Sequence, residues 1–281
     1  MSEYSITVEG GTSKRLLTAG KYCDRDIVVT ATGGGGSGDI AGIVDGTITD
    51  LTIPEGASAV KAYALYNRTA LKTVRMPSTM TAIGDYAFSG ATALEEINIP
   101  DSVTTIGKYA FEKAAKAKIE SLPPVVTSIG DNAFYNCSEA TFDKIPSGLT
   151  TLSRYVFYGC KKATFGKIPE GVKSIQTQAF YNCQSLPMMD CPASLTSISS
   201  MCFQGLGKVK AYAFRNTTAV VTMSNSNAFS SSFVANILVP SALVDEYKAA
   251  TNWSSRAGKI KALEDYTVDG TVTGELDVSK L

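Results

Sequence analysis

Histidine is absent from all 281 residues. The side chain that most often serves as general base near neutral pH, and most often binds transition metals, is therefore missing. Ser-His-Asp and Cys-His catalysis within this chain alone are excluded, which leaves paired carboxylates or a Ser-Lys arrangement as the open acid–base chemistries. An excess of either charge is also lacking, with 26 Lys plus Arg against 26 Asp plus Glu. A surface built for nucleic acid needs surplus basic charge, and no run of like charges occurs, so nucleic acid is not an expected partner. No apolar run approaches the roughly 18 residues that a membrane-crossing helix needs, so membrane insertion is not expected either. The opening MSEYSITVEGG has no basic stretch followed by an apolar one, and no secretory signal peptide is read there. The six cysteines include no Cys-x-x-Cys pair. Without such pairs or histidine, no metal site, cofactor or redox motif is expected, and unpaired thiols favour folding in a reducing compartment.

What the sequence has in abundance is order at a fixed spacing. Seven of the ten prolines stand at 54, 77, 100, 123, 146, 169 and 192, each 23 residues after the last. Leu65, Phe88, Phe111, Phe134, Phe157, Phe180 and Phe203 keep the same step, each preceded by a small or medium apolar residue. Five positions before each Phe from 88 onward stands Ile83, Ile106, Ile129, Leu152, Ile175 or Ile198. A period between about 20 and 50 residues marks a solenoid or array, and this one falls in the leucine-rich-repeat range.

One copy, LEEINIPDSVTTIGKYAF from Leu94 to Phe111, carries the logic. Leu94, Ile97 and Ile99 make the L-x-x-L-x-L strand pattern, and the alternation of Ile97 and Ile99 suits a half-buried strand. Pro100 ends the ladder because it has no N–H to donate. Val103 and Ile106 point inward on the return, Gly107 is expected to supply a turn conformation closed to most residues, and Ala110 with Phe111 closes the coil. No copy can bury its own apolar face, so neighbours must stack, about 4.8 Å apart, into one shared core.

The stretches IPDSVTTIGKYAF, VVTSIGDNAFYNC and IPEGVKSIQTQAFYNC resemble the BspA-like subclass of leucine-rich repeats, found in many bacterial surface proteins. The resemblance implies an α/β repeat solenoid, right-handed and curved, with strands on the concave side and roles in adhesion or recognition. The chain departs from the pattern where Leu65 replaces Phe, and where Ser153, Gln176 and Ser199 replace the turn glycine.

The organisation that follows has four parts: a small β-rich module at 1–32, a Gly-rich linker (GGGGSG) at 33–38, the solenoid with its cap at 39–262, and a tail at 263–281. The module is too short to be stable alone and is expected to assemble with another chain. It and the closing YTVDGTVTGELDVSKL are similar to terminal pieces of phage and prophage tail-associated proteins of gut Firmicutes. SALVDEYKAATNW reads as a capping helix with Ser241 as N-cap and Leu243, Val244 and Tyr247 on its apolar face.

Two features bear on binding. The column two residues before each proline varies within a rigid frame, and its Arg75, Asn98, Lys144, Lys167 and Asp190 are candidate partner contacts. The column four before proline changes character, from Asp50, Thr73 and Glu96 to Ile119, Phe142 and Phe165, while the next position turns polar or small at Glu120, Asp143 and Gly166. Either a local bulge turns Phe142 and Phe165 inward, or they form an exposed apolar patch beside Lys144 and Lys167 that marks a binding site. Cys137, Cys160 and Cys183 continue a small-residue column begun by Ala91 and Ala114, and read as packed thiols. The expected function is non-enzymatic recognition or adhesion of a protein or cell-surface glycan, on a virion tail or bacterial surface. The alternatives are an intracellular protein-binding scaffold and a carboxylate-based glycan hydrolase, for which no paired motif is visible.

Overall fold

The computed structural model describes residues 47–53, 57–229 and 235–281. The module expected at 1–32 and the linker at 33–38 lie outside the described residues. The chain winds into a parallel-strand solenoid of about 9 turns with few helices. Most coils place a short strand on one face and a second short strand on another. On the first face lie β1 (Asp50–Thr52), β3 (Thr73–Arg75) and β5 (Glu96–Ile97). The same face carries β10 (Met189–Cys191), β12 (Ala211–Phe214), β14 (Asn236–Val239) and β15 (Ile260–Ala262). On the second face lie β2 (Ala59–Val60), β4 (Ala82–Ile83), β6 (Thr105–Ile106) and β7 (Ser128–Ile129). They are followed there by β8 (Thr151–Leu152), β9 (Ser174–Ile175), β11 (Ser197–Ile198) and β13 (Thr222–Met223). All strand pairs are parallel, and partners such as Leu51 and Val74, or Ile83 and Ile106, are one 23-residue step apart.

The repeat's inward columns form the core. Phe88, Phe111, Phe134, Phe157, Phe180 and Phe203 are fully buried. Their rings stack in one file, with centroids 5.1 to 5.9 Å apart. The cysteine column packs beside them. The thiols of Cys137, Cys160 and Cys183 donate to the carbonyl oxygens of Phe111, Phe134 and Phe157, one coil earlier, at 3.1 to 3.2 Å. Burial pushes each thiol above its ordinary pKa and disfavours the thiolate.

The turn glycines act differently from expectation. Gly107 has no positive φ; instead, a Cβ there would come within 2.5 Å of the Asp85 backbone nitrogen. The position demands close approach between coils rather than an unusual conformation. Most of the left-handed residues fall in two other columns, two before and two after each anchor. The first holds Tyr63, Tyr86, Tyr109, Asn132, Tyr155, Gln178 and Met201; the second holds Asn67, Gly90, Lys113, Asn136, Gly159, Asn182 and Gly205. In the second column a Cβ on Gly90, Gly159 or Gly205 would lie 2.0, 2.2 or 2.1 Å from the amide oxygen of Asn67, Asn136 or Asn182 in the preceding coil.

The shift across Ile119, Phe142 and Phe165 resolves inward. These residues are 1%, 0% and 1% exposed. Six positions before proline, the buried Leu71 and Leu94 give way to Ala117, Ala140 and Ala163 in the same copies, and Leu186 then restores the pattern. The larger residue four before proline fills the volume that the alanine vacates. Phe142 packs edge-on against Phe134 and Phe157, at 4.9 and 5.3 Å. Filling the core from this position turns Phe142 to a φ of 32°, and the first-face sheet is interrupted between β5 and β10.

The C-terminal cap departs from the expected single helix. Ser241–Leu243 forms a 3-10 turn, α1 spans only Val244–Ala249, and a second 3-10 segment covers Ser254–Lys259. Ser241 does not cap α1: its N–H and hydroxyl donate to the Glu264 carboxylate. The capping is done by side chains that serve the edge of β13 where another strand would pair. Val221 N–H donates to Tyr247 Oη at 3.0 Å, Trp253 Nε1 donates to Val221 O at 2.8 Å, and Asn252 Nδ2 donates to Met223 O at 2.7 Å.

Phe134→Ala, in the middle of the ring file, is expected to lower unfolding free energy by about 3–5 kcal/mol, read from the urea midpoint. Gly107→Ala is expected to cost about 1–3 kcal/mol through overpacking against the Asp85 backbone.

Candidate binding cleft on the first face

Along the first face, Arg75, Asn98, Ser121, Lys144 and Lys167 are exposed at the outward positions of successive coils, Lys167 at the edge of the part that the tail covers. Phe142 and Phe165 are not among them: their rings fill the core, so neither is available to a partner. Asp190 also departs from the expected solvent-facing row, being only 8% exposed. It faces Arg215, with Nε donating to Oδ1 at 2.6 Å and Nη2 donating to Oδ2 at 3.0 Å.

The C-terminal residues explain that burial. In β12, Tyr212 and Phe214 face the main core while Ala211 and Ala213 face outward. Leu238 of β14 joins these alanines, and Leu263 and Leu276 of the tail cover all three. Thr267 and Leu276 form an antiparallel bridge that folds the tail back on itself. Asp269 holds the turn by accepting from the N–H and hydroxyl of Thr271, bonds that hold its carboxyl below the ordinary range. Arg215 Nη1 donates to Val272 O, so the guanidinium links the ladder, the buried carboxylate and the tail. The region read from sequence as a tail is thus a second, small apolar cluster closing the first face over the last coils.

Two cavities lie against this closure. The larger, about 560 Å³, is bounded by Lys167, Met188, Asp190 and Arg215 on the ladder side and by Thr273 and Glu275 on the tail side. The smaller, about 210 Å³, shares Lys167, Asp190, Arg215 and Thr273, and adds Glu170, Pro192, Thr217 and Val272. The Asp190–Arg215 pair stands in the wall common to both. Lys167 and Asp190 were legible as first-face residues, but Arg215 and the tail contacts were not. The one available signal was a charge directly after the apolar run AYAF. Among the described residues, no group of three or more His, Cys, Asp or Glu is placed to hold a metal ion.

The repeat geometry agrees with comparison at the family level. A model of the BspA type leucine-rich repeat region matches in six copies, over residues 45–164 and 127–252. The chain belongs to the BspA-type leucine-rich-repeat family. Its resemblance to solved leucine-rich-repeat structures is one of fold. A leucine-rich repeat protein from Bacteroides ovatus ATCC 8483 shares 24% identity at a TM-score of 0.56, over 68% of this chain and 55% of its own, so this chain spans about half the length of that protein. A leucine rich cell surface protein from Faecalibacterium prausnitzii A2-165 shares 19% identity at a TM-score of 0.48, over 69% of each chain. The T. pallidum leucine rich repeat protein shares 19% identity at a TM-score of 0.41, over 75% of this chain and 85% of its own. No curated protein matches the sequence. Among the described residues, no helix of this BspA-type repeat is long and apolar enough to cross a membrane.

Removing one partner of the Asp190–Arg215 pair strands the other charge. Asp190→Ala is expected to cost about 3–5 kcal/mol and to expose the tail, seen as faster limited proteolysis within residues 263–281. Cys137, Cys160 and Cys183 are expected to resist a water-soluble thiol reagent at pH 8 until denaturant unfolds the coils, as followed by mass spectrometry of the labelled peptides.

Proposed function

We propose that this protein is a non-enzymatic recognition module that binds a protein or a cell-surface glycan through the first face of its solenoid. The observation that carries this reading is the contrast along that face: the last coils are sealed by the tail, while the earlier coils leave Arg75, Asn98 and Lys144 open on a frame of stacked coils, with Lys167 at the boundary. Stacked coils hold such side chains at fixed separations without further ordering cost, which favours binding over an extended surface. BspA-type repeats are an architecture of protein binding and adhesion, and one relative of the same fold is described as a cell surface protein. The reading extends to display on a phage tail or a bacterial surface, supported by the resemblance of the terminal segments to tail-associated proteins. An intracellular protein-binding scaffold is the second reading, favoured by the free, buried cysteines.

The test is quantitative retention of the intact protein on bacterial cell walls and on immobilised host surface protein, in parallel with Arg75→Glu and Lys144→Glu. Saturable retention that drops about tenfold in these exposed variants is the expected result. Retention unchanged by both variants would remove the first face from the reading. Turnover of cell-wall polysaccharide by the purified protein would overturn its non-enzymatic character. Fractionation of producing cells separates surface or virion display from the scaffold.

A further inference from the structure

The cleft between ladder and tail has a chemistry of its own. Its central pair is fixed: Asp190 and Arg215 meet in a bidentate contact, with about nine-tenths of each side chain buried. Their charges cancel, so a charged ligand gains little net attraction from them. Yet each Asp190 oxygen has a second lone-pair site, and a guanidinium carries N–H donors on both edges of its fork. A locked ion pair therefore offers charge-assisted donors and acceptors side by side, without an uncompensated charge. Vicinal hydroxyl groups, each both donor and acceptor, fit that presentation.

The rest of the wall agrees. Thr217 and Thr273 add exposed hydroxyls, while Pro187, Met188, Pro192 and Val272 supply apolar patches for the C–H faces of a pyranose ring. Lys167 and Glu275 place opposite charges at the larger cavity, and Lys167 and Glu170 do so at the smaller one. The larger volume, about 560 Å³, falls in the range of roughly 300–1,000 Å³ common for small-molecule sites. The two cavities share four lining residues, Lys167, Asp190, Arg215 and Thr273, so a ligand of linked similar units can occupy both.

We propose that these cavities are consecutive subsites of one cleft that binds a neutral oligosaccharide, with adjacent sugar units on either side of the Asp190–Arg215 pair. The proposal rests on the recognition reading above and adds to it a ligand class and a second place, at the tail-covered end of the same face. The bottom of the site comes from the ladder and its roof from the tail, so the closure that stabilises the last coils also shapes the cleft.

Isothermal titration of the full chain with cellotetraose, chitotetraose and mannotetraose, and with tetragalacturonate as a charged comparison, tests it. Thr273→Trp fills both subsites from an exposed tail position, Lys167→Ala removes an exposed wall contact, and Lys108→Glu alters an exposed position outside the first face and the cleft. Saturable binding of at least one neutral tetrasaccharide, weakened about tenfold or more by Thr273→Trp and unaffected by Lys108→Glu, is the expected result. The thermal midpoint of each variant confirms that folding is retained. No saturable binding of any neutral tetrasaccharide overturns the proposal, as does binding indifferent to Thr273→Trp, or binding confined to tetragalacturonate and abolished by salt. Cell-wall or protein retention that persists in Thr273→Trp but falls in Arg75→Glu overturns the cleft alone and leaves the broader recognition reading standing. Loss of every form of binding to wild-type protein removes both.

Discussion

The structure depends on one constraint: a single 23-residue coil has an apolar interior with no inside of its own. Only the next coil can cover it. The file of Phe rings, each stacked on the one before, is where that dependence is concentrated. The strands are short, often two residues, and contribute register more than stability. Hydrogen bonds that cross from coil to coil, including the thiol-to-carbonyl contacts beside the rings, satisfy polar groups that this burial would otherwise strand. An array built this way needs its last coil closed, and here Tyr247, Asn252 and Trp253 satisfy an open strand edge without adding another repeat.

The same constraint decides how the coils vary. Interior volume is conserved between positions rather than within one column. Where Leu becomes Ala six residues before proline, Ile119, Phe142 or Phe165 arrives two residues later to fill the space. The exchange keeps the core full but breaks the first-face ladder between β5 and β10. Lys144 and Lys167 thus stand on coils with irregular backbone, between two stretches of ordered sheet. The rigid frame of the first face has a locally irregular middle, supported from beneath by aromatic rings.

Much of this was legible in the sequence because it repeats. The columns of Pro, Phe and Ile located the coils, and their spacing fixed which residues pair across strands, as Leu51 with Val74 shows. The inward turn of Phe142 was legible only as one of two alternatives, since the deciding signal, Ala140 in place of Leu, lies in a different column. Gly107 was assigned to the right bend for the wrong reason: a sequence shows that glycine is needed but not whether φ or close approach demands it. The cleft was least legible. Asp190 meets Arg215 across 25 residues, not 23, and the tail that encloses them has no repeat at all. Contacts outside the period leave no mark in the period.

The alternation of Asn and Gly at the coil corners bears on how such an array can grow. The amide of Asn67, Asn136 or Asn182 occupies space above the following coil that only a glycine leaves free. Each coil carrying Asn therefore prescribes its successor. Duplication of an Asn coil by itself would set one amide against the Cβ of its copy, and loss of the Gly159 coil would bring Asn136 against Asn182. A unit that keeps Asn and its Gly together can be copied or exchanged between arrays without a clash at this corner. In recombination, the tolerated crossover points are set by packing between neighbours, so the evolutionary module is larger than the structural repeat.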